Sequence, residues 1–357
     1  MKLGIIGLPQ TGKKTLYNLL TGLRADDASA GIKKTAQGFG RIRDTRFDRL
    51  CAMYCPRKET PAQIELLLLP KIEKNPESDT PLFREIADAD AVCHVVRAFT
   101  DESVYHLDGS VNPVRDIESI NGELLLHDLL FVEKRLERMA KETKKKNDAL
   151  SRREEEMLGL FKEQLEKDLP LRLLSLSPDD LKIIRSYPFL TLKKLFIVLN
   201  VDDRAIADDS LGREISARFA ASGIDVMQVS AKMEGEIAGL DDEDERKEFM
   251  AESGISEPAL NVLSKLAMNS LELISYFTVG KDEVRQWLVR KGSTAPEAAG
   301  VIHSDIQRGF IRAEVIKYPE LADLGSEEAV KKAGKLYVMG KDYLVEDGDI
   351  ISFRFNV

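Results

Sequence analysis

Between Lys2 and Leu20 the chain reads apolar run, glycine-bounded loop, amphipathic run, and few folds accept that order. Lys2-Leu3-Gly4-Ile5-Ile6 suits a buried strand, and Thr15-Leu16-Tyr17-Asn18-Leu19-Leu20 suits a helix with one apolar face. The loop between them, Gly7-Leu8-Pro9-Gln10-Thr11-Gly12-Lys13, fits the GxxxxGK phosphate-binding pattern. Gly7 and Gly12 permit backbone conformations that aim successive N–H groups into one concavity, and the helix N-terminus adds partial positive charge. Lys13 is expected to reach the terminal phosphates. In the full pattern the next side chain is Ser or Thr, whose hydroxyl coordinates Mg2+. This chain has Lys14 there, and Thr15 lies about 100° further round the helix. The expected phosphate-binding residues are therefore Pro9, Gln10, Thr11, Gly12, Lys13, Lys14 and Thr15, with no residue assigned as metal ligand or catalyst. A glycine turn that binds nothing is disfavoured, because the pattern agrees in the strand-to-helix context it requires.

At 357 residues the chain is long for one domain, and two or three are expected. No apolar run approaches the ~20 residues that span a bilayer, and Met1-Lys2 leads straight into the first strand, so a cytoplasmic protein without a signal peptide is expected. A monomer is expected as well. Cys51, Cys55 and Cys93 lack the second Cys or His pair of a metal site, and reduced structural thiols are the expectation. A net charge of -9 argues against indiscriminate binding to phosphate backbones, which needs clustered Lys and Arg. Two local patches run against that average. Residues 32–58 hold eight basic residues (Lys33, Lys34, Arg41, Arg43, Arg46, Arg49, Arg57, Lys58) against Asp44 and Asp48. The second comprises Lys141, Lys144, Lys145, Lys146, Arg152 and Arg153; its last five are the nucleic-acid candidates, weighed against an ordinary solvated face.

Apolar strands continue at Ile64–Leu69 and Ala91–Val96, and their alternation with helices predicts a doubly wound, mostly parallel sheet. From Leu125 the pattern changes. Leu125, Leu129, Val132, Leu136 and Met139 follow a four-three spacing, a heptad seam, and Met157, Phe161, Leu165 and Leu169 form a second amphipathic stretch. The two are expected to pair as an antiparallel arm with the basic residues at its tip. The sheet resumes with Leu195–Leu199, running into Asn200-Val201-Asp202-Asp203. At such a site proteins of the GTPase class read the base, with Asn steadying the ring and a carboxylate accepting from guanine. Val226–Val229 then leads into Ser230-Ala231-Lys232, which matches the second base-contacting loop, so Asn200, Val201, Asp203, Ser230, Ala231 and Lys232 are the expected base site. Beyond Tyr276 the texture becomes that of a small α+β module. It has a capped helix start at Thr294-Ala295-Pro296-Glu297, strands at Phe310–Val315 and Ile350–Phe355, and a turn at Asp347-Gly348-Asp349. His303, beyond Val301-Ile302, is expected to be a satisfied core or interface histidine.

With these residues the chain resembles the Obg-like ATPase family, or YchF proteins, across essentially its full length. The resemblance rests on the phosphate loop, His94-Val95-Val96-Arg97, Ile117–Leu124, Asn200–Asp203, Ser230-Ala231-Lys232, Thr294–His303 and the ending Asp347–Val357. It implies a P-loop NTPase G domain at residues 1–124 and 188–275, a coiled-coil arm at 125–187 and a β-grasp TGS domain at 276–357. It further implies a ribosome- or RNA-associated nucleotide hydrolase with ATP or GTP as cofactor, the family tending to prefer ATP through a Glu at the fourth position of the base motif. Here that position is Asp203, one methylene shorter.

The departures lie on one side of the site. The family's magnesium strand ends in Asp-x-x-Gly, and the aligned stretch is Leu68-Leu69-Pro70-Lys71, without the acid that orients a magnesium water or the glycine that senses the γ-phosphate. Asp88 and Asp90 precede the next strand and sit at the wrong end of the sheet. Thr35 is the candidate switch threonine. Together with Lys14 these changes put Mg2+ in question and predict slow or absent hydrolysis. The alternative is a working Mg2+-dependent ATPase or GTPase switch. A small-molecule kinase is disfavoured by the base-reading features. Residues 276–357 carry 12 Lys and Arg against 13 Asp and Glu, so RNA affinity there rests on resemblance and not on bulk charge.

Overall fold

The computed structural model describes residues 1–23, 35–70, 81–106, 109–142, 149–240, 242–253, 255 and 257–356. In chain order it contains β1 (Lys2–Ile6), α1 (Lys13–Thr21), β2 (Ala36–Arg41), α2 (Thr45–Tyr54), β3 (Lys58–Thr60), β4 (Gln63–Leu68), α3 (Pro81–Asp88), β5 (Ala91–Ala98), α4 (Pro113–Glu142) and α5 (Ala149–Leu165). Then come α6 (Pro178–Ile183), β6 (Lys194–Val201), α7 (Ser210–Phe219), β7 (Asp225–Val229), α8 (Ala231–Gly239), α9 (Glu243–Glu252) and α10 (Ala259–Ser270). The chain closes with β8 (Leu273–Thr278), β9 (Glu283–Arg290), α11 (Ala295–Ile302), α12 (Ser304–Arg308), β10 (Phe310–Lys317), α13 (Tyr318–Leu324), α14 (Glu327–Lys332), β11 (Tyr337–Met339) and β12 (Asp349–Phe355). These elements fall into two compact units, Met1–Gly40 with Glu65–Leu263, and Arg41–Ile64 with Ser264–Val357.

The first unit is built on a sheet of order β2-β4-β1-β5-β6-β7, in which β1 runs parallel to β4 and β5, β5 to β6, and β6 to β7. A parallel sheet covered on both faces needs apolar side chains on both, which is why β5 and β6 are mostly apolar, His94 and Arg97 being the polar residues of β5. Because the strands are parallel, Gly7 after β1 and Asn200 near the end of β6 come to the same edge. Helix α4 has 30 residues, about 45 Å of helix, and serves two cores. Ile117, Ile120 and Leu124 pack in the sheet core with Ile6, Val96 and Leu199. Val132 and Met139 instead join Met157, Phe161 and Leu165 of α5 in a separate cluster, with Leu125, Leu129 and Leu136 at its margin. The helix thus begins twelve residues before the heptad seam, on the sheet, and continues without a break into the seam.

The second unit is a sheet of order β11-β10-β12-β8-β9-β3. Its pairs are antiparallel except β12 with β8 and β3 with β9. Residues 41–64 supply part of this unit. β3 extends the sheet through Lys58↔Glu283 and Thr60↔Arg285, and α2 lays Phe47, Leu50 and Cys51 against Phe277, Val284, Ile316 and Ile350. Arg46 of α2 pairs with Asp44 at 2.8 Å and with Asp347 at 2.7 Å, and Asp347 also accepts the Ser275 N–H at 2.9 Å. Gly348 takes φ +91, so the Asp347-Gly348-Asp349 turn demands glycine. The basic run read as one patch is accordingly neutralised in part. Besides Arg46, Arg57 faces Asp282 at 3.4 Å and Lys58 faces Glu283 at 3.0 Å.

Two further sequence expectations resolve here. Thr294 and Glu297 form the expected capping box, with the Thr294 N–H donating to the Glu297 carboxylate at 2.7 Å. His303 is not a core residue. Its side chain is exposed, and its Nδ1 accepts the Asp305 N–H at 3.1 Å, capping α12, because the chain leaves α11 in an extended conformation there. Among the described residues no helix is long and apolar enough to cross a membrane.

Candidate functional site

The loop after β1 has the backbone that its glycines allow. Gly7 takes φ +152, Gln10 φ +60 and Gly12 φ +87, and Gly12 caps the N-terminus of α1. A Cβ at Gly7 would stand 2.4 Å from the Val95 carbonyl oxygen, and one at Gly12 would stand 2.2 Å from Asn200 Nδ2. The first hydrogen bond of α1 runs from Leu16 N to Gly12 O, so the helix end turns its positive dipole toward the loop. Thr11 is buried and donates its hydroxyl to Leu8 O at 3.1 Å. Pro9 is half-buried and Gln10 exposed at the loop's crest. Lys13 is 8% exposed and donates through Nζ to Gly7 O at 2.8 Å and Pro70 O at 3.4 Å. Burial lowers its pKa to about 8.

Asn200 joins this loop to the second base loop. Its Nδ2 donates to Thr11 O at 3.0 Å, and its Oδ1 accepts the Ala231 N–H at 3.0 Å. Ser230 caps α8 by accepting the Met233 N–H at 3.2 Å and donates its own hydroxyl to Asp203. Lys232 Nζ lies 2.8 Å from the other carboxylate oxygen of Asp203. Burial pushes the Asp203 carboxyl up, but the hydrogen bonds from Lys232 and Ser230 outweigh it and hold the group below its ordinary range. Val201 is buried in β6, so its side chain lies in the core and not against a base. The predicted base-site residues Asn200, Asp203, Ser230, Ala231 and Lys232 are thus brought together.

Two residues that the sequence reading did not assign to the site also stand here. Arg97 is buried at the end of β5, lies 4.5 Å over the Phe99 ring, and donates to the Phe99, Asp101 and Tyr105 carbonyls. It pins the loop after β5, which Asp202 also holds by accepting from Thr100 N and Oγ1 at 3.2 Å. His94 is 1% exposed in the middle of β5, and its Nδ1 has no hydrogen-bond partner among the described residues. The signal for both was a polar letter inside an apolar run. Burial, with Lys13 adding its charge, lowers the His94 pKa to about 3. The unfolded histidine, with a pKa of 6.5, binds its proton at higher pH than the folded one, so stability falls as pH drops from 6.5 toward 3. Between pH 6.5 and 4.5 this residue is expected to remove about 2 kcal/mol, and His94→Gln should flatten that part of the profile. Urea unfolding across this range checks it; parallel profiles for the two proteins would refute it.

On the magnesium side the donor set does not fit the ion. Leu68 and Leu69 are fully buried in and beyond β4, and Lys14, half-buried in the first turn of α1, offers a cation where a hydroxyl is needed. Thr15 is exposed on the next position. The Thr35 hydroxyl donates to the Glu85 carboxylate of α3. Lys71 lies outside the described residues. Among the described residues no group of three or more His, Cys, Asp or Glu side chains could hold a metal ion.

The nucleic-acid candidates divide. Lys144, Lys145 and Lys146 lie outside the described residues, and Arg152 is exposed near the start of α5. Arg153 is committed within the chain, its Nε and Nη2 reaching the Asp180 carboxylate at 2.9 and 3.1 Å. Asp180 also closes the capping box of α6 with Ser177, so the pair ties α5 to α6.

A glycine-bounded cradle at the head of α1, tied by a buried asparagine to a Ser-Ala-Lys loop on a doubly wound sheet, defines a P-loop protein of the G-domain class. Ribosome-binding ATPase YchF of Bacillus subtilis (strain 168) is 40% identical over 365 residues, spanning 99% of this chain and 99% of the relative. Obg-like ATPase 1 of Oryza sativa subsp. japonica is 35% identical over 366 residues, spanning 100% and 92%. The solved structure of the Schizosaccharomyces pombe YchF GTPase matches with a TM-score of 0.83 at 31% identity, over 99% of this chain and 97% of that one. The family profile YchF-GTPase_C, described as a protein of unknown function (DUF933), matches residues 273–356. The chain belongs to the YchF family of Obg-like ATPases.

Proposed function

We propose that the chain is a ribosome- or RNA-associated regulator of translation or stress that binds ATP or GTP in the cradle of Gly7 to Lys14 and hydrolyses it weakly or not at all. The observation that carries nucleotide binding is Lys13, a buried ammonium held over a glycine loop that Asn200 fastens to the base loop. The reading of weak hydrolysis is supported by the chemistry of Lys14, Leu68 and Lys71, none of which can take the part of a magnesium ligand. Ribosome association is supported by the relatives, which carry it in their names. We further assign residues 1–124 and 188–275 to the nucleotide-binding domain, 125–187 to a coiled-coil arm and 276–357 to a TGS domain. The helix pair α4 and α5 with its own apolar cluster supports the arm. A cytoplasmic monomer fits this reading.

The test is titration of nucleotide-free protein with labelled ATP and GTP, in Mg2+ and in EDTA, with turnover measured alongside. Lys13→Ala is expected to weaken binding at least 100-fold, about 2.7 kcal/mol. Only the ammonium form attracts phosphate, and burial sets its pKa at about 8, so wild-type affinity should fall as pH rises above 8. That dependence should vanish in Lys13→Ala. Binding that survives EDTA supports the reading. Rapid Mg2+-dependent turnover lost in Lys13→Ala would establish the active-switch alternative instead.

A further inference from the structure

The base loop contains an ion pair whose two members pull in opposite directions on purine choice. A free carboxylate at Asp203 would accept from the N1–H and 2-amino groups of guanine and would repel the N1 lone pair of adenine. In this chain the carboxylate is engaged on both oxygens. Oδ1 accepts the Ser230 hydroxyl and Oδ2 faces the Lys232 ammonium at 2.8 Å. Ser230 is buried, and its hydroxyl lies between Asp203 and the first turn of α8, so its contact is part of the loop's architecture. Lys232 differs. Its side chain is 73% exposed and that of Asp203 30%, so the ammonium stands on the open side of the pair. The charges of Glu236 and Asp101 add, more weakly than Asp203, to the negative field that holds it as an ammonium.

We propose that Lys232 is the residue that sets purine selectivity, by pairing with Asp203 and cancelling the carboxylate that would otherwise select guanine over adenine. The inference rests on the nucleotide reading above and deepens it. Two effects act together. The ammonium removes the net charge that adenine N1 would face, and it donates to acceptors, which both purines present on that edge, N1 in adenine and O6 in guanine. With Lys232 in place the site therefore accepts ATP and GTP with comparable affinity. Without it, Asp203 stands with Asp101 and Glu236 in a field that favours the N1–H and 2-amino donors of guanine. Lys232 projects outward from the second residue of α8 and packs in no core, so its replacement does not disturb the fold.

The experiment is competition of ATP, GTP and ITP against a labelled nucleotide on wild type, Lys232→Met and Lys232→Arg, with EDTA and Mg2+ arms. In wild type the ATP and GTP affinities should agree within about three-fold. In Lys232→Met the GTP-to-ATP affinity ratio should rise roughly ten-fold or more, the discrimination available to a bidentate base contact. ITP, which lacks the 2-amino group, should gain less than GTP. Lys232→Arg keeps the pair and should keep the wild-type ratio. An unchanged ratio in Lys232→Met, with binding otherwise intact, would overturn the role of Lys232 and leave nucleotide binding standing. If no nucleotide binds the wild-type protein, the nucleotide reading itself fails, and this inference with it.

Discussion

Asp128→Ala is expected to destabilise the first unit by about 4 kcal/mol, the range found when one partner of a buried, fully hydrogen-bonded charge is removed. Asp128 is 0% exposed in α4. Its carboxylate accepts from Leu190 N at 2.9 Å, Thr191 N at 2.8 Å, Thr191 Oγ1 at 2.7 Å and His127 Nδ1 at 3.1 Å. Thr191 in turn accepts from Leu171 N and, through its carbonyl, from Arg172 N. One side chain thus closes the junction at which α4 leaves the sheet, and the segment leading into β6 hangs on it. Deleting the carboxylate strands two buried N–H groups, each costing roughly 1–3 kcal/mol, and nothing of the right polarity replaces it. Asp128→Asn keeps one acceptor oxygen and should lose about half as much. Equilibrium urea unfolding decides the matter. A loss below about 1 kcal/mol for the alanine variant would mean that the junction is held by packing alone.

The same residue shows what the sequence conveyed and what it withheld. The spacing of Leu125, Leu129, Val132, Leu136 and Met139 announced a long helix with an apolar stripe, because a helix needs only local periodicity to declare itself. Asp128 sits three residues after Leu125 on that stripe, and its partners, Leu190 and Thr191, lie more than sixty residues away. No local pattern encodes such a pairing. The candidate phosphate loop and candidate base loop could be read locally for the opposite reason: their letters are contiguous, and a parallel sheet brings the ends of its strands to one edge. What joins them, the reach of Asn200 to Thr11 O and Ala231 N, is set by the tertiary fold, across 189 and 31 residues of chain. Residues 41–64 were harder still. Their basic letters suggested a solvated patch, whereas α2 and β3 are packed into the second unit and Arg46 is paired with Asp44 and Asp347. Charge that is neutralised by a distant acid looks, in sequence, the same as charge that faces solvent. Val201 and His303 departed from their expected roles because β6 runs on through Val201, placing its side chain in the core, and α11 ends at Ile302, leaving His303 to cap α12.

Gly7→Ala is expected to lower nucleotide affinity more than 100-fold and to destabilise the first unit by about 2–5 kcal/mol, combining backbone strain with forced overpacking. The added methyl would stand 2.4 Å from the Val95 carbonyl oxygen, at a backbone φ of +152. That carbonyl belongs to β5, which is hydrogen-bonded between β1 and β6 and cannot retreat without disturbing both ladders. The loop must yield instead. Gly7 O is the acceptor for Lys13 Nζ at 2.8 Å, so a displaced Gly7 carries away the group that aims the buried ammonium. The displaced loop should also disturb Gly12, where Asn200 fills the space that a Cβ would take. Lys13→Ala removes the ammonium and its hydrogen bonds to Gly7 O and Pro70 O but forces no backbone shift, so it should cost affinity with the smaller drop in melting temperature, whereas Gly7→Ala should lower melting temperature and affinity together. Thermal melting and nucleotide titration on both variants separate the two effects. A Gly7→Ala protein that binds ATP or GTP as tightly as the wild type would show that the cradle does not depend on this glycine's backbone.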